Sequence, residues 1–364
     1  MIPKNLGELV TFSLNRFEPI HNWFYFKEGY AEKLVEWIVK EYKIEGKIFD
    51  PFCGSGTTLL TAKQLGAESI GCDVSPLAVL ASKAKTRDYN IEILKSKFAE
   101  LREMSVPPEQ ITPRDERLRK IISRENWEEM HFLKKKIEEI EDEKVKDFFY
   151  LAMVDSFGAV AQVVKVGGSL RKVKKHVPAM KKFFERKCER MIRDLEREKK
   201  GPEPEVREAD ARVFAPEENS VSAVITSPPY LNKIEYTTVY KLELILFFKA
   251  QQTRLRAFLG DDSNNVDAGD GEMPPIAQAY FQDMEKVLKN CFKCLKRGGK
   301  IFIIVAGGCL PDRTIDSDEI IYDLGEAVGF KKIDLIPARN IFCHSNRSIK
   351  IGTVRESILV LEKP

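Results

Sequence analysis

Hydrophobic and polar positions change rhythm along this chain, and the changes divide it. Residues 30–45 (YAEKLVEWIVKEYKIE) set apolar side chains at helical spacing. The short strand Lys47-Ile48-Phe49-Asp50 follows and runs into a glycine-rich turn. Thr57 to Leu65 reads as a helix ended by Gly66, Ser69 to Asp73 as a second strand, and Ser75 to Lys85 as another helix. Strand–turn–helix alternation of this kind predicts a parallel sheet with crossover helices. From about 91 to 205 the rhythm gives way to a charged, helix-patterned stretch, broken early by Pro107-Pro108 and Pro113. Within it the apolar run Phe148 to Val164 is expected to pack this region onto the sheet, and Gly167-Gly168 marks a turn. Strands resume at Glu205 to Val213 and Val221 to Ile225, then at Lys300 to Ala306, Lys331 to Pro337 and Glu356 to Leu361. Residues 260–275, rich in Asp, Asn and Gly, read as a loop. The pattern gives one α/β domain in two halves, 1–90 and 205–364, separated by a helical insertion at 91–204.

Composition narrows the class. A chain of 364 residues with 43% hydrophobic content can bury a sizeable core. It has no apolar run long enough to span a bilayer and no signal-peptide profile at its start, so a cytoplasmic protein without membrane contact is expected. The 59 basic and 56 acidic residues nearly cancel, so only local clustering can point to nucleic acid. Lys and Glu dominate the charge, as in proteins from hot environments. Seven scattered cysteines argue against a disulfide framework. Cys291 and Cys294 form a lone C-x-x-C on a helix pattern, read as two buried cysteines, and no metal site is expected.

The first chemical signal is Asp50-Pro51-Phe52-Cys53-Gly54-Ser55-Gly56-Thr57-Thr58, directly after a strand. Its glycines let the turn approach a ligand where a Cβ would clash. The helix beyond offers free backbone N–H groups. Asp73, with Val74 beyond it, ends the second strand, where a carboxylate can accept hydrogen bonds from both hydroxyls of a ribose. The dinucleotide fingerprint needs glycine three residues after Gly56, but Leu59 stands there. Asp50 would repel a pyrophosphate yet suits a cation. S-adenosyl-L-methionine carries a sulfonium and an ammonium and no phosphate, so it is the favoured ligand. Asp210, with Ala211, closes the strand after the insertion and is expected to accept from the adenine amino group.

The second signal is Ser227-Pro228-Pro229-Tyr230, at the end of the apolar strand Val221 to Ile225. Consecutive prolines make a rigid, extended loop with no N–H to enter a ladder. An aromatic amine is a poor nucleophile because its lone pair is delocalised. Hydrogen bonds from its protons to Ser227 Oγ and a proline carbonyl favour a pyramidal nitrogen aimed at the methyl donor. Tyr230 is expected to offer a flat face for stacking.

These residues resemble the amino-methyltransferases of DNA and RNA. Asp50 to Thr58 is similar to that family's first motif and Ser227 to Tyr230 to its fourth, the serine form being usual in cytosine-N4 enzymes. His21-Asn22-Trp23-Phe24-Tyr25 through Tyr30 resembles the segment that holds the cofactor's methionine end, which would bring Trp23 and Tyr25 to the cofactor. Glu235-Tyr236-Thr237 and Leu242-Glu243-Leu244 follow the same pattern. The resemblance implies a Rossmann-like sheet of seven strands whose last strand is antiparallel. It departs from many DNA cytosine-N4 enzymes in placing the cofactor motif before the catalytic one. Cytosine-C5 chemistry is disfavoured because no cysteine follows a proline. A non-catalytic subunit of the same fold usually loses one of these motifs, and both stand here.

Arg171, Lys172, Lys174, Lys175, Lys181 and Lys182, with Arg186 and Lys187, concentrate positive charge in the insertion. The cluster suits phosphate contacts, or else a solvated helix face, since Glu185, Glu189 and Asp194 alternate with its later members. Motif order, the basic insertion and the composition favour structured RNA such as ribosomal RNA as the substrate, with cytosine N4 of DNA as the alternative. Oligomeric state is not legible.

Overall fold

The computed structural model describes residues 2–26, 29–107, 112–114, 116–166, 169–197, 200–231, 239–248, 273–310, 313–345 and 349–364. The strands, in chain order, are β1 (Ile48–Asp50), β2 (Ser69–Asp73), β3 (Val163–Val166), β4 (Ser169–Lys172), β5 (Glu205–Glu208) and β6 (Val221–Thr226). They continue with β7 (Leu295–Ala306), β8 (Gly308–Cys309), β9 (Thr314–Ile315), β10 (Lys331–Ser345) and β11 (Ile349–Glu362). Seven of them form one sheet in the order β10-β11-β7-β6-β1-β2-β5. Numbered by appearance within that sheet and read from the β5 edge, the order is 3-2-1-4-5-7-6. Pairing is parallel from β5 through β7, and β11 alone runs against its neighbours. The sheet is therefore the Rossmann-like methyltransferase arrangement with an antiparallel last strand. Its order reverses between β1 and β6, where ligands of open α/β sheets bind.

Both sheet faces are covered, which explains near-continuous apolar runs such as Ile301 to Ala306 in the inner strands. Ile301, Ile303 and Val305 of β7 face the helices Pro275–Cys294 and Ser317–Val328. Phe302 and Ile304 face the helix Glu32–Glu41, which buries Leu34, Val35 and Ile38. Cys291 and Cys294 are buried and free. Cys309 and Cys343, however, are joined in a disulfide, a pairing across 34 residues that their spacing does not announce.

Strands β10 and β11 outrun their expected lengths because they pair with each other as a ribbon beyond the sheet. Pro337 does not stop β10, since β10 is an edge strand and the pairing shifts register there. The loop expected at 260–275 lies mostly outside the described residues, and Gly167-Gly168 lies wholly outside them.

The insertion supplies the helices Ile91–Glu103, Arg124–Glu138, Glu143–Val160 and Met180–Leu195, capped by Asn90, Ser123 and Asp142 at the first three. It also contains the hairpin β3–β4, which the helical pattern did not foretell. Phe148, Phe149, Phe157 and Phe184 fill a core shared with Leu77, Leu80, Ala81 and Ala84 of the sheet's crossover helix. The apolar run thus packs against a helix that lies on the sheet.

The segment 20–24 is wedged into this junction by two buried lysines. Lys85 Nζ donates to the carbonyls of His21 (3.0 Å) and Phe24 (3.1 Å). Lys187 Nζ donates to the carbonyl of Trp23 (2.5 Å) and to Asp155 (2.5 Å). Each ammonium replaces lost water with carbonyl and carboxylate oxygens, as burial demands. Trp23 is fully buried, edge-on to Phe148, with its indole N–H on Asp194 at 2.8 Å. No described helix is long and apolar enough to cross a membrane. Trp23→Ala would leave a large cavity and should cost about 3–5 kcal/mol in denaturant unfolding; a change under about 1 kcal/mol would mean the junction carries little of the stability.

Candidate functional site

Strands β1 and β6 end side by side at Asp50 and Thr226, and one carboxylate ties the two ends together. Thr226 Oγ1 donates to Asp50 Oδ1 at 2.7 Å, and the Phe52 backbone N–H donates to the same oxygen at 3.1 Å. Tyr30 Oη donates to Asp50 Oδ2 at 3.2 Å and lies 2.5 Å from Thr58 Oγ1. Thr58 Oγ1 in turn reaches the Ile225 carbonyl at 3.4 Å. Asp50 is buried and fully engaged, so its role is to align the glycine turn with the residue preceding Ser227. That differs from the expectation of a carboxylate facing a cation, which falls instead to Asp73.

The turn is closed from the other side by Asp73. Gly54 N–H donates to Asp73 Oδ2 at 3.0 Å and Ser75 N–H to Oδ1 at 2.9 Å. Asp73 is only part-buried, so its oxygens keep lone pairs for a ligand. Gly54 and Gly56 take φ of +50° and +83°, which L side chains rarely adopt. A Cβ on Gly56 would also meet Ser82 Cα at 3.0 Å. Gly71, in β2 behind the turn, has room for none: its Cβ would lie 2.9 Å from Cys53 Cβ. Cys53 is buried and its thiol is pushed well up by burial, so it packs and is no nucleophile. Pro51 is buried with its carbonyl 3.3 Å from Cys72 Sγ, and Thr57 opens the helix Thr57–Gln64 with its hydroxyl 3.4 Å from Asn15 Nδ2.

Other expected cofactor contacts are placed differently. Trp23 faces the insertion, because Asp194 and Phe148 satisfy it there. Tyr25 is 43% exposed and lies under the Arg16 guanidinium. The aromatic that reaches the turn is Phe26, whose ring would stand 3.3 Å from a Cβ on Gly54. Asp210 is taken up by Arg212, which grips both its oxygens and also pairs with Asp283 at 2.9 Å. An adenine amino group would have to compete with that guanidinium. Ala211 is buried, its carbonyl bound by Asn290, and Val74 is half-buried beside Asp73.

Ser227 is half-buried at the end of β6, followed by buried Pro228 and half-buried Pro229. Tyr230 retains only 8% exposure and sits in the core between sheet and helix, so little of its face is open for stacking. Its hydroxyl points back to the site, 3.3 Å from Ser227 Oγ. Glu235-Tyr236-Thr237 lies outside the described residues, whereas Leu242-Glu243-Leu244 lies on the helix Lys241–Phe248.

A family model described as DNA methylase matches residues 10–84, the stretch that holds Tyr30, the glycine turn and Asp73. The type II methyltransferase M.BsoBI of Geobacillus stearothermophilus is 25% identical across 98% of this chain and 88% of its own length. The type II methyltransferase M.AvaI of a Nostoc species is 21% identical across 98% of this chain and 89% of its own. Among solved structures, a SAM-dependent methyltransferase of Methanosarcina mazei aligns with 90% of this chain and 96% of that one, at 10% identity and a TM-score of 0.36.

The chain resembles the N4/N6 amino-methyltransferases. Its methyl donor is S-adenosylmethionine, and the turn fits it: two glycines at positive φ clear the approach, and Asp73 offers carboxylate lone pairs at the carboxyl end of β2. As an amino-methyltransferase of nucleic acid, it needs an acceptor amine beside that turn, and Ser227 stands there.

Burial pushes the carboxyls of Asp50 and Asp73 up to about 6 against hydrogen bonds that pull them down. These values exceed the ordinary unfolded value of about 3.9, so the folded state holds both protons more tightly. Their contribution to stability therefore falls as pH rises from about 4 to about 6. Affinity for a cationic ligand runs the other way. Titration calorimetry should show S-adenosylmethionine binding weakening about tenfold between pH 7 and pH 5 for each carboxylate that must be ionised. A flat profile would mean that neither charge serves the ligand.

Proposed function

We propose that this chain methylates the N4 amino group of cytosine in DNA. The observation that carries this reading is the Asp50 bridge, which holds Ser227 at the switch point beside the cofactor turn. The serine at the head of S-P-P-Y speaks for cytosine, being the form usual in cytosine-N4 enzymes. The matching family's description as DNA methylase and the type II methyltransferase relatives speak for DNA over the structured RNA expected from motif order and composition. Access to genomic DNA places such an enzyme in the cytoplasm.

S-adenosylmethionine supplies an electrophilic methyl group. Ser227 Oγ accepts a hydrogen bond from the cytosine amine, which turns the nitrogen lone pair out of the ring plane and toward that carbon. The rigid Pro228-Pro229 pair holds the acceptor still, so little reorganisation is needed during transfer. A cytosine inside a duplex cannot reach this loop and must swing out of the stack.

The insertion is the proposed recognition element. Arg171 and Lys172 lie exposed on β4, Lys174 is exposed just after it, and Lys182 is exposed on the helix Met180–Leu195. None of the four pairs with a carboxylate among the described residues, which leaves them for phosphates. Lys175 is half-buried and lines a cavity of about 390 Å³ with Phe24, Phe157 and Leu242. Lys181 is spent on the carbonyls of Arg102 and Met104, and Lys187 on Asp155. Those two are fixed by the fold and make no phosphate contact.

Ser227→Ala should lower transfer by at least about tenfold, the worth of one hydrogen bond at the reacting centre, and leave S-adenosylmethionine affinity within twofold. The substrate is tested by incubating labelled cofactor with unmodified genomic DNA or ribosomal RNA and weighing the digested nucleosides. Label in N4-methyldeoxycytidine is expected; label only in a ribonucleoside, or in N6-methyldeoxyadenosine, overturns the reading. Replacing Arg171 and Lys172 by Gln should weaken binding to all sequences alike and reduce the salt slope by about 0.9 per lost phosphate contact.

A further inference from the structure

Ser227 is the head of a chain of side chains that runs through Tyr230 to two residues from the far end of the sequence. Its Oγ donates to Tyr230 Oη at 3.3 Å. Tyr230 Oη donates to Glu356 Oε1 at 2.6 Å. Glu356, 1% exposed on β11, takes the Arg339 Nε on its other oxygen, and the two residues are register partners across β10 and β11. Glu356 also faces Ala306 of β7, which places it at the carboxyl end of the parallel strands, where the site opens.

We propose that Glu356, anchored by Arg339, is a positioning residue that sets the direction of the hydrogen bonds through Tyr230 to Ser227. This rests on the reading of Ser227 as acceptor for the substrate amine. An ionised carboxylate is acceptor-only, so Tyr230 must give its proton to Glu356. The phenol oxygen is then left with lone pairs toward Ser227, and the serine hydroxyl turns its proton to Tyr230. Both Ser227 lone pairs then face the site. Without the carboxylate, the serine proton can turn toward the substrate amine, donor against donor, and the amine loses the partner that pyramidalises it. Arg339 sets an opposite charge against the buried Glu356 carboxylate and occupies its second oxygen. The burial of Tyr230 has the same logic: its ring is a strut and its hydroxyl the working part.

The experiment is a double-mutant cycle of Glu356→Gln with Ser227→Ala in the full chain, read as single-turnover transfer to DNA and as S-adenosylmethionine affinity. Gln keeps the shape but can donate to Tyr230, which reverses the chain. Glu356→Gln should lower kcat on the order of tenfold, with cofactor affinity and KM for DNA within twofold. In the Ser227→Ala background it should have no further effect, because its influence passes through the serine. Glu356→Asp, which restores an acceptor-only group, should recover part of the rate. Tyr230→Phe should match Glu356→Gln, and it carries the test if Glu356→Gln does not fold. An equal loss in both backgrounds would assign Glu356 a purely structural role and overturn the proposal. Wild-type transfer by Glu356→Gln or Tyr230→Phe with Ser227→Ala impaired would overturn the relay alone. Wild-type transfer by Ser227→Ala would remove the reading of the serine on which the relay rests.

Discussion

The site depends on a buried carboxylate held between two strands that are 176 residues apart in the chain. Asp50 costs the fold desolvation energy, visible in a carboxyl pushed up to about 6. It remains mostly ionised near neutral pH because Thr226, Phe52 N–H, Thr58 and Tyr30 all stabilise the charged form. Those donors come from three parts of the chain: Phe52 and Thr58 from the glycine turn, Thr226 from the end of β6, and Tyr30 from the N-terminal segment. A hydrogen bond to a charged group is stronger and more directional than a neutral one. One carboxylate therefore fixes the glycine turn relative to the end of β6, which apolar packing, being non-directional, cannot do.

Electrostatics also fastens the N-terminal segment. Burial, with a smaller push from the neighbouring Lys187, lowers the Lys85 ammonium to about 7. Two cations hidden beneath one stretch of backbone are tolerated because carbonyls of His21, Trp23 and Phe24 and the Asp155 carboxylate surround them. The lysines come from the sheet's crossover helix and from the insertion, so the segment is gripped by both. It then delivers Phe26 and Tyr30 to the glycine turn. The insertion is thus part of what holds the N-terminal segment against the glycine turn.

A second carboxylate, Glu356, closes the arrangement from the antiparallel end of the sheet. Asp50 governs where the loop lies and Glu356 how its hydroxyls point. Both sit on strands next to the reacting centre rather than on loops, where backbone pairing holds them to a fraction of an ångström.

Much of this was legible in the chain. The strand–turn–helix alternation, and its replacement by helical spacing from about 91 to 205, marked the parallel sheet and its interruption, because burial on two faces leaves a local compositional mark. The turn at Asp50 to Thr58 and the tetrapeptide Ser227 to Tyr230 were legible because glycine and proline have intrinsic backbone preferences that need no neighbours. Asp73 was legible from its place at a strand end. Partnerships across long separations were not: nothing near Arg212 announces that it will also pair with Asp283, 71 residues on, while it holds Asp210. Trp23 read as a cofactor aromatic because its sequence context fits, while its burial depends on Asp194 of the insertion. Lys181 and Lys187 read as surface charge because a helix pattern does not say which face another helix covers. The disulfide of Cys309 and Cys343, the β3–β4 hairpin and the pairing of Glu356 with Tyr230 have the same origin. Sequence fixed what each residue can do; only the tertiary structure decided which partner each one meets, because hydrogen bonds and ion pairs are made between atoms that the chain brings together last.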